Sequence, residues 1–141
     1  DIVLLIASVL EVPELAGMIE RAHWLGMEVL LEARDATELE EIRLSGLKPD
    51  ALGVNSRDLR DFSVDPERLV TLTGAMLSGP AWVAESGIHS TDTVCALSRA
   101  GFHAFLIGEH FALAVNPEVE VRRFRRMLDE EKSGGQRGDR E

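Results

Sequence analysis

Short apolar runs alternate with helix-like segments five times along this chain, and this alternation constrains its fold more than any other feature. The runs are too short for helices and are rich in aliphatic residues, as buried parallel strands are. The five predicted strands are Ile2–Ala7, Glu28–Ala33, Ala51–Val54, Trp82–Ala84 and Ala104–Gly108. Because repeated strand–helix units form right-handed crossovers, the chain is predicted to be an α/β protein with a parallel sheet. Part of a (β/α)8 barrel and a doubly wound sheet both satisfy this pattern.

Glycine, proline and capping residues set the predicted boundaries of the helices. The five predicted helices are Val12–Leu25, a second from Asp35–Thr37 to Gly46, a third from Asp65-Pro66 to before Gly79-Pro80, a fourth over Thr91–Ala100, and a last from Asn116-Pro117 to about Leu128. Residues 130–141 contain no apolar side chain to bury, so we expect a disordered tail there. Residues 1–129 form the single predicted domain.

Polar and glycine residues at the ends of the predicted strands favour the barrel. They are Glu32, Asn55, Arg57, Glu85, Ser86, Gly87 and Gly108. In a barrel, side chains at the carboxyl ends of several strands meet over one mouth. In a doubly wound sheet they would concentrate at a single switch point. The sequence therefore predicts a partial (β/α)8, or TIM, barrel with five parallel βα units, where a complete barrel has eight units in about 250 residues.

Composition excludes some classes of function. A formal net charge of -10 argues against a nucleic-acid-binding protein, which needs a basic surface. The longest apolar run, Ile2–Leu10, is too short to span a bilayer, so we expect no membrane partner. Cys95 is the single cysteine, which excludes an internal disulfide and fits a reducing, cytoplasmic location. The chain opens at Asp1, directly before an apolar strand, and we expect it to be truncated at its N-terminus.

Five short motifs of the sequence resemble those of a known family. VLLIAS, LLEARD, GVNSRDL, VAESGI and FLIGE resemble, in this order and spacing, the strand-end motifs of indole-3-glycerol phosphate synthase. The resemblance runs from Asp1 to about Leu128 and corresponds to strand four through helix eight of that barrel. It implies ring closure of a phosphorylated substrate, 1-(2-carboxyphenylamino)-1-deoxyribulose 5-phosphate, with loss of CO2 and water in tryptophan biosynthesis. It implies no metal and no organic cofactor.

Three residues match catalytic positions of that family. The resemblance makes Glu32 an acid/base, Asn55 a residue that orients the ring-closing groups, and Glu85 a residue that organises the site. A carboxylate at a barrel mouth suits acid/base chemistry, because burial there raises its pKa. The alternative for both glutamates is a structural salt bridge with a neighbouring cation.

The resemblance assigns further residues to substrate binding. These positions are Arg57, Leu59, Ser86, Gly87, Leu106, Gly108 and Glu109. Arginine binds a carboxylate through two parallel hydrogen bonds, although Arg57 also has Asp58 and Asp61 nearby as structural partners. The glycines and Ser86 match a backbone phosphate cradle, and the two leucines match an apolar lining or simple core. Glu109 stands where the family often has serine, and we expect its charge to point away from a phosphate.

One catalytic group of the family has no counterpart. The family uses a lysine on strand three as general acid, and the only lysines here are Lys48, in a loop, and Lys132, in the predicted tail. We therefore expect the isolated chain to have little or no synthase activity.

Two other functions stay open. One is a non-catalytic half-barrel that binds a phosphorylated ligand, or associates with copies of itself through the open sheet edges at Ile2–Ala7 and Ala104–Ile107. The other is a different phosphate-binding barrel, such as an isomerase of the same pathway. The GVNSRDL motif together with Glu32 counts against that isomerase.

Overall fold

Five parallel strands form one sheet in the computed structural model, which describes residues 1–57, 67–76 and 78–135. The strands are β1 (Ile2–Ile6), β2 (Glu28–Ala33), β3 (Ala51–Asn55), β4 (Ala81–Glu85) and β5 (Ala104–Leu106). Their order in the sheet is their order in the chain, and every neighbouring pair is parallel. This is the succession of strands that a segment of a barrel requires.

Helices connect the strands. They are α1 (Val12–Trp24), α2 (Ala36–Ser45), α3 (Glu67–Thr71), α4 (Thr91–Arg99), α5 (Glu109–Leu113) and α6 (Pro117–Gly135), with short 3-10 turns at Ala7–Val9 and Leu72–Ala75. Side chains accept backbone N–H groups at the starts of several helices: Asp35 accepts those of Thr37 and Glu38, Ser90 that of Thr93, and Asn116 that of Val119. In the described part of the chain, no helix has both the length and the apolar composition needed to cross a membrane.

The helices pack against one face of the sheet, and this distinguishes the barrel from the doubly wound alternative. One large core joins helix residues to every second residue of the strands. Its buried members include Leu5, Leu15, Ile19, Val29, Leu31, Leu39, Ile42, Leu52, Val54, Trp82, Val94, Leu97 and Phe124. On the opposite face the described residues form only a small cluster of strand side chains, Leu30, Ala51 and Val83. A doubly wound sheet carries helices on both faces, so the partial-barrel prediction is confirmed.

Asp50 joins three elements at the amino end of the sheet. Its Oδ2 accepts the backbone N–H of Val29 at 2.8 Å and lies 2.8 Å from Nε2 of His23, on α1. The hydrogen bonds to His23 and Val29 hold the pKa of the Asp50 carboxyl below its usual value. This end of the sheet is therefore occupied by structural contacts.

Three details differ from the sequence-based predictions. The strand β1 was expected to be covered on both faces, yet it lies at the edge of the sheet and Leu4 is 45% exposed on the face without helices. The helix α5 was not predicted. The helix α6 extends to Gly135, so the predicted disordered tail is wrong for residues 130–135, where an ion pair from Glu131 to Arg99 of α4 anchors the helix. Residues 136–141 and the predicted Asp65-Pro66 helix start lie outside the described residues.

Candidate active site

The three residues predicted to be catalytic lie on the inner face of the sheet, opposite the helices. Parallel pairing places Glu32 of β2 beside Gly53 of β3, and Asn55 of β3 beside Glu85 of β4. Since side chains alternate along a strand, Gly53 and Asn55 share one face, and their partners share it too. The register therefore collects two carboxyl groups and one amide at the carboxyl ends of adjacent strands.

Asn55 is held in one orientation by two hydrogen bonds. Its Oδ1 accepts the backbone N–H of Arg57 at 2.9 Å, and its Nδ2 donates to Oε1 of Glu32 at 3.1 Å. Because the first bond can only be accepted by an oxygen, the amide orientation follows from the contacts. The Asn55 side chain is thus held by the backbone N–H of Arg57, and it in turn holds the carboxyl group of Glu32.

Glu85 is the more buried of the two carboxyl groups, at 3% exposure against 8% for Glu32. Within the described part of the chain, its Oε1 is buried without a hydrogen-bond partner. Burial, followed by repulsion from and hydrogen bonding to Glu32, raises the pKa of Glu85 from 4.5 to about 8. At neutral pH Glu85 is therefore mostly protonated and can act as a proton donor.

Gly53 makes room for this pair. A Cβ atom at position 53 would lie 1.9 Å from Oε1 of Glu85 and 3.3 Å from Cδ1 of Leu30. The Glu85 carboxyl group therefore lies above Gly53, the residue of β3 that has no side chain, and points towards Glu32. Sequence analysis did not single out this glycine, although glycine inside a strand often marks such a close approach.

Arg57 contacts Glu109, 52 positions further along the chain. Its guanidinium lies 3.2 Å from Oε2 of Glu109 at the start of α5. The structural partners predicted for Arg57, Asp58 and Asp61, lie outside the described residues, as does Leu59. The ion pair with Glu109 was not predicted, and it places a carboxylate beside the arginine that the resemblance assigns to a substrate carboxylate.

A cavity of about 200 Å³ opens beside this ion pair. Its lining contains the remaining residues predicted to bind substrate: Ser86, Gly87, Leu106, Gly108 and Glu109. His89 and His110 also line it. Ser86 and Gly87 both have positive φ angles, of 65° and 66°, which turn the chain sharply at the end of β4. The structure thus brings the predicted cradle residues together around one concave space.

Two further residues support the site and were missed by sequence analysis. Ser56 is buried and bonded to the backbone of the turn after β4. Glu38 of α2 is also buried, and it forms an ion pair with Arg34 at 2.6 Å while accepting the Arg34 backbone N–H. A serine in a polar loop and a glutamate in an acidic helix give no sequence signal of burial, because both residue types are usually exposed.

A larger cavity, of about 420 Å³, lies at the opposite end of the sheet. Lys48, Pro49, Gly79 and Pro80, which line it, precede β3 and β4. Residues at this end of a barrel stabilise the fold, whereas ligands bind at the carboxyl end. No group of three or more potential metal ligands is present in the described ranges. The mouth with Glu32, Asn55 and Glu85 is therefore the candidate active site.

Comparison with known families identifies the family of the chain. The family model of indole-3-glycerol phosphate synthase matches residues 1–124. The chain belongs to this family. The match includes all of the residues discussed above as catalytic or substrate-binding, and it excludes the isomerase alternative.

Curated relatives carry the same family name. The chain is 46% identical over 121 residues to an indole-3-glycerol phosphate synthase of Neisseria meningitidis, covering 86% of this chain and 45% of that protein. It is 41% identical over 111 residues to that of Campylobacter curvus, covering 79% and 42%. With that of Bacteroides thetaiotaomicron it shares 39% over 128 residues, covering 91% and 48%. The chain thus spans less than half the length of these indole-3-glycerol phosphate synthases.

Solved structures support the fold. The chain superimposes on 3-hexulose-6-phosphate synthase from Salmonella typhimurium with a TM-score of 0.76 at 20% identity, covering 93% of this chain and 63% of that one. Thiamine phosphate pyrophosphorylase from Pyrococcus furiosus gives a TM-score of 0.70 at 19% identity, covering 93% and 60%. At this identity the likeness concerns the fold alone.

Proposed function

We propose that this chain supplies catalytic and binding groups for indole-3-glycerol phosphate synthesis: ring closure of 1-(2-carboxyphenylamino)-1-deoxyribulose 5-phosphate with loss of CO2 and water. The observation that carries the proposal is the cluster of Glu32, Asn55 and Glu85 on one sheet face beside Arg57. No metal or organic cofactor enters the reaction. A cytoplasmic location is part of the proposal, as suits a biosynthetic enzyme with one cysteine.

The two glutamates divide the proton transfers between them. Glu32, as the carboxylate fixed by Asn55, accepts and returns a proton during dehydration. Glu85, which holds its proton at neutral pH, donates a hydrogen bond to substrate or to Glu32. A carboxyl group with a raised pKa beside a second carboxyl group is a common arrangement for acid/base work.

Substrate binding uses two anionic ends. The guanidinium of Arg57 binds the carboxylate of the substrate's anthranilate ring, in place of its contact with Glu109. The backbone N–H groups of Ser86, Gly87, Gly108 and Glu109 bind the phosphate in the adjoining cavity. Leu106 and Leu59 contribute the apolar wall against the aromatic ring.

The general acid of the family is a lysine, and neither lysine of this chain suits the role. Lys48 precedes β3, at the amino end of the sheet, and Lys132 lies near the end of α6. We therefore expect the chain by itself to bind substrate but to turn it over far more slowly than a synthase with a strand-three lysine.

Substrate binding and turnover test the proposal in separate steps. Calorimetric titration of this chain with the substrate is expected to show saturable binding, which Arg57→Ala weakens at least about tenfold, since a charged hydrogen-bonded contact is lost. Arg43→Ala is the matched control, because Arg43 lies on α2 and pairs with Glu40. Absence of saturable binding, or equal loss in both variants, would contradict the proposed binding site.

Turnover is followed by the appearance of the indole ring. Glu32→Gln is expected to keep substrate binding within about threefold and to lower residual turnover by about 100-fold or more, the usual contribution of a general acid/base. Glu28→Gln, at the other end of the same strand, is expected to change neither quantity. Unchanged turnover in Glu32→Gln would remove Glu32 from the mechanism.

One observation favours a second function. Ile2, Leu4 and Leu106 are about half exposed on the edge strands of a sheet whose inner face carries no helix among the described residues. This arrangement supports the alternative of a non-catalytic half-barrel that associates with another copy. Ring-closure turnover by a monomer in solution would decide against it.

A further inference from the structure

The turn that follows β4 has an unusual backbone. Ser86 has a φ angle of 65° and Gly87 one of 66°. Glycine adopts this left-handed region freely, but for a residue with a Cβ atom it is unfavourable by about 1 kcal/mol or more. A neighbouring group must therefore hold Ser86 in place.

Ser56 is that group. Its hydroxyl donates to the carbonyl oxygen of Ser86 at 2.9 Å, and its backbone N–H donates to the carbonyl oxygen of Glu85, also at 2.9 Å. The residue is 2% exposed, so water does not compete for either bond. Two successive carbonyl groups at the end of β4 are thus tied to the residue that follows β3.

The bond to Ser86 constrains the neighbouring amide as well. In a trans peptide the C=O and N–H groups point in opposite directions. Holding the Ser86 carbonyl towards Ser56 therefore directs the N–H of Gly87 away from Ser56. Gly87 lines the cavity that the proposed function assigns to the phosphate.

We propose that Ser56 is a positioning residue for phosphate binding: its hydroxyl fixes the Ser86–Gly87 peptide so that the Gly87 N–H is presented to the phosphate group. This role rests on the proposed function and adds a residue that the resemblance leaves without a role. It also explains why a serine between Asn55 and Arg57, two residues assigned to substrate, is itself buried.

Ser45 provides a matched control. Its hydroxyl also donates to a backbone carbonyl, that of Ile42, at 2.7 Å, but it lies at the end of α2 and does not line the phosphate cavity. Ser45→Ala and Ser56→Ala therefore delete the same type of hydrogen bond. They differ in whether the carbonyl belongs to the proposed cradle.

The experiment is a titration of the chain with inorganic phosphate, followed by NMR at the Gly87 amide. Ser56→Ala is expected to weaken phosphate binding by about three- to tenfold, the effect of one hydrogen bond, and to move the Gly87 amide resonance before phosphate is added. Ser45→Ala is expected to leave both unchanged. Ser56→Cys keeps the shape of the side chain with a much weaker donor, so it gives the same result in a variant that retains the packing.

The outcomes separate this inference from the proposed function. Wild-type affinity in Ser56→Ala or Ser56→Cys, with phosphate still binding at Gly87, overturns the role of Ser56 and leaves the cradle in place. An equal loss in Ser45→Ala overturns it too, since the effect is then one of general stability. A wild-type chain that binds no phosphate overturns both the cradle and the role of Ser56.

Discussion

Among the titratable groups of the candidate active site, Glu85 is the least exposed to water. It is almost fully buried, one of its oxygens has no partner in the described part of the chain, and a second carboxylate lies next to it. Each of these conditions disfavours the charged form of the group. The Glu85 carboxyl group therefore holds its proton more tightly than an ordinary glutamate.

This proton makes the stability of the protein depend on pH. Between its ordinary pKa of 4.5 and its folded value of about 8, Glu85 is protonated in the folded state and ionised in the unfolded chain. The folded state binds more protons there, so the contribution of Glu85 to the unfolding free energy falls as pH rises. The expected slope is at most about 1.4 kcal/mol per pH unit. Glu85→Gln should flatten this dependence in urea denaturation measured across the window.

An exposed glutamate is the control for that measurement. Glu20→Gln removes a carboxyl group from the exposed part of α1 and should keep the wild-type slope. If the wild-type slope survives in Glu85→Gln, the proton is held by another group.

Glu109 makes a second residue-scale prediction. Its carboxylate contacts Arg57, and under the proposed function it competes with the substrate carboxylate for the same guanidinium. Glu109→Gln keeps the backbone N–H but removes the charge, so anthranilate should bind about two- to fivefold more tightly, in line with the modest strength of an exposed ion pair. Calorimetry measures this affinity. Glu118→Gln, which removes the partner of Arg122 on α6, should have no effect, and weaker anthranilate binding in Glu109→Gln would contradict the competition.

At the scale of secondary-structure elements, the strand β3 has a glycine where the Glu85 side chain of the neighbouring strand β4 lies against it. Gly53→Ala would place a methyl group on Oε1 of Glu85, so we expect a loss of about 1–3 kcal/mol in unfolding free energy from overpacking. It should also push Glu85 away from Glu32 and lower its pKa. Thermal unfolding and NMR titration of the Glu85 carboxyl group measure the two effects.

A helical glycine is the control for this change. Gly17 of α1 has no atom within contact of an added Cβ, so Gly17→Ala should stabilise the protein by up to about 1 kcal/mol through its higher helix propensity. Equal effects at both glycines would show that the close approach to Glu85 is unimportant.

The sequence was sufficient to predict those helices and strands whose ends are determined by nearby residues. The boundaries of all five strands were located to within two residues, because their apolar runs end at glycine or polar residues. The continuation of α6 to Gly135 could not be predicted, because its last residues are polar and its ion pair from Glu131 to Arg99 joins two helices that are distant in the sequence. The parts that Gly53 and Ser56 play in the site could not be predicted for the same reason. Each depends on a contact with a residue far along the chain, Glu85 for Gly53 and Ser86 for Ser56.

At the scale of the whole molecule, the prediction concerns the sheet face that carries no helix among the described residues. Leu4 on the edge strand β1 belongs to that face and is 45% exposed. We predict that the chain associates with itself at higher concentration and that Leu4→Lys weakens this association by about tenfold or more, since a charge cannot be buried there. Sedimentation velocity over a concentration series measures it.

An exposed leucine on another surface is the control, because it shows whether any added charge weakens self-association. Leu44 on α2 is 69% exposed, and Leu44→Lys should leave the association unchanged. A wild-type chain that stays monomeric throughout the series would contradict the prediction.

The order of the strands also has a consequence for how the chain folds. In the described part of the chain each strand pairs with the strands next to it in the sequence, so every pairing spans a single strand–helix unit. Each pairing closes a loop that contains a helix, and parallel sheets form slowly for this reason, but pairing between consecutive strands keeps each loop as short as a parallel sheet allows. A βα unit that has left the ribosome can pair with the unit before it without waiting for the rest of the chain. Synthesis and folding can thus advance together, one strand at a time, from β1 to β5.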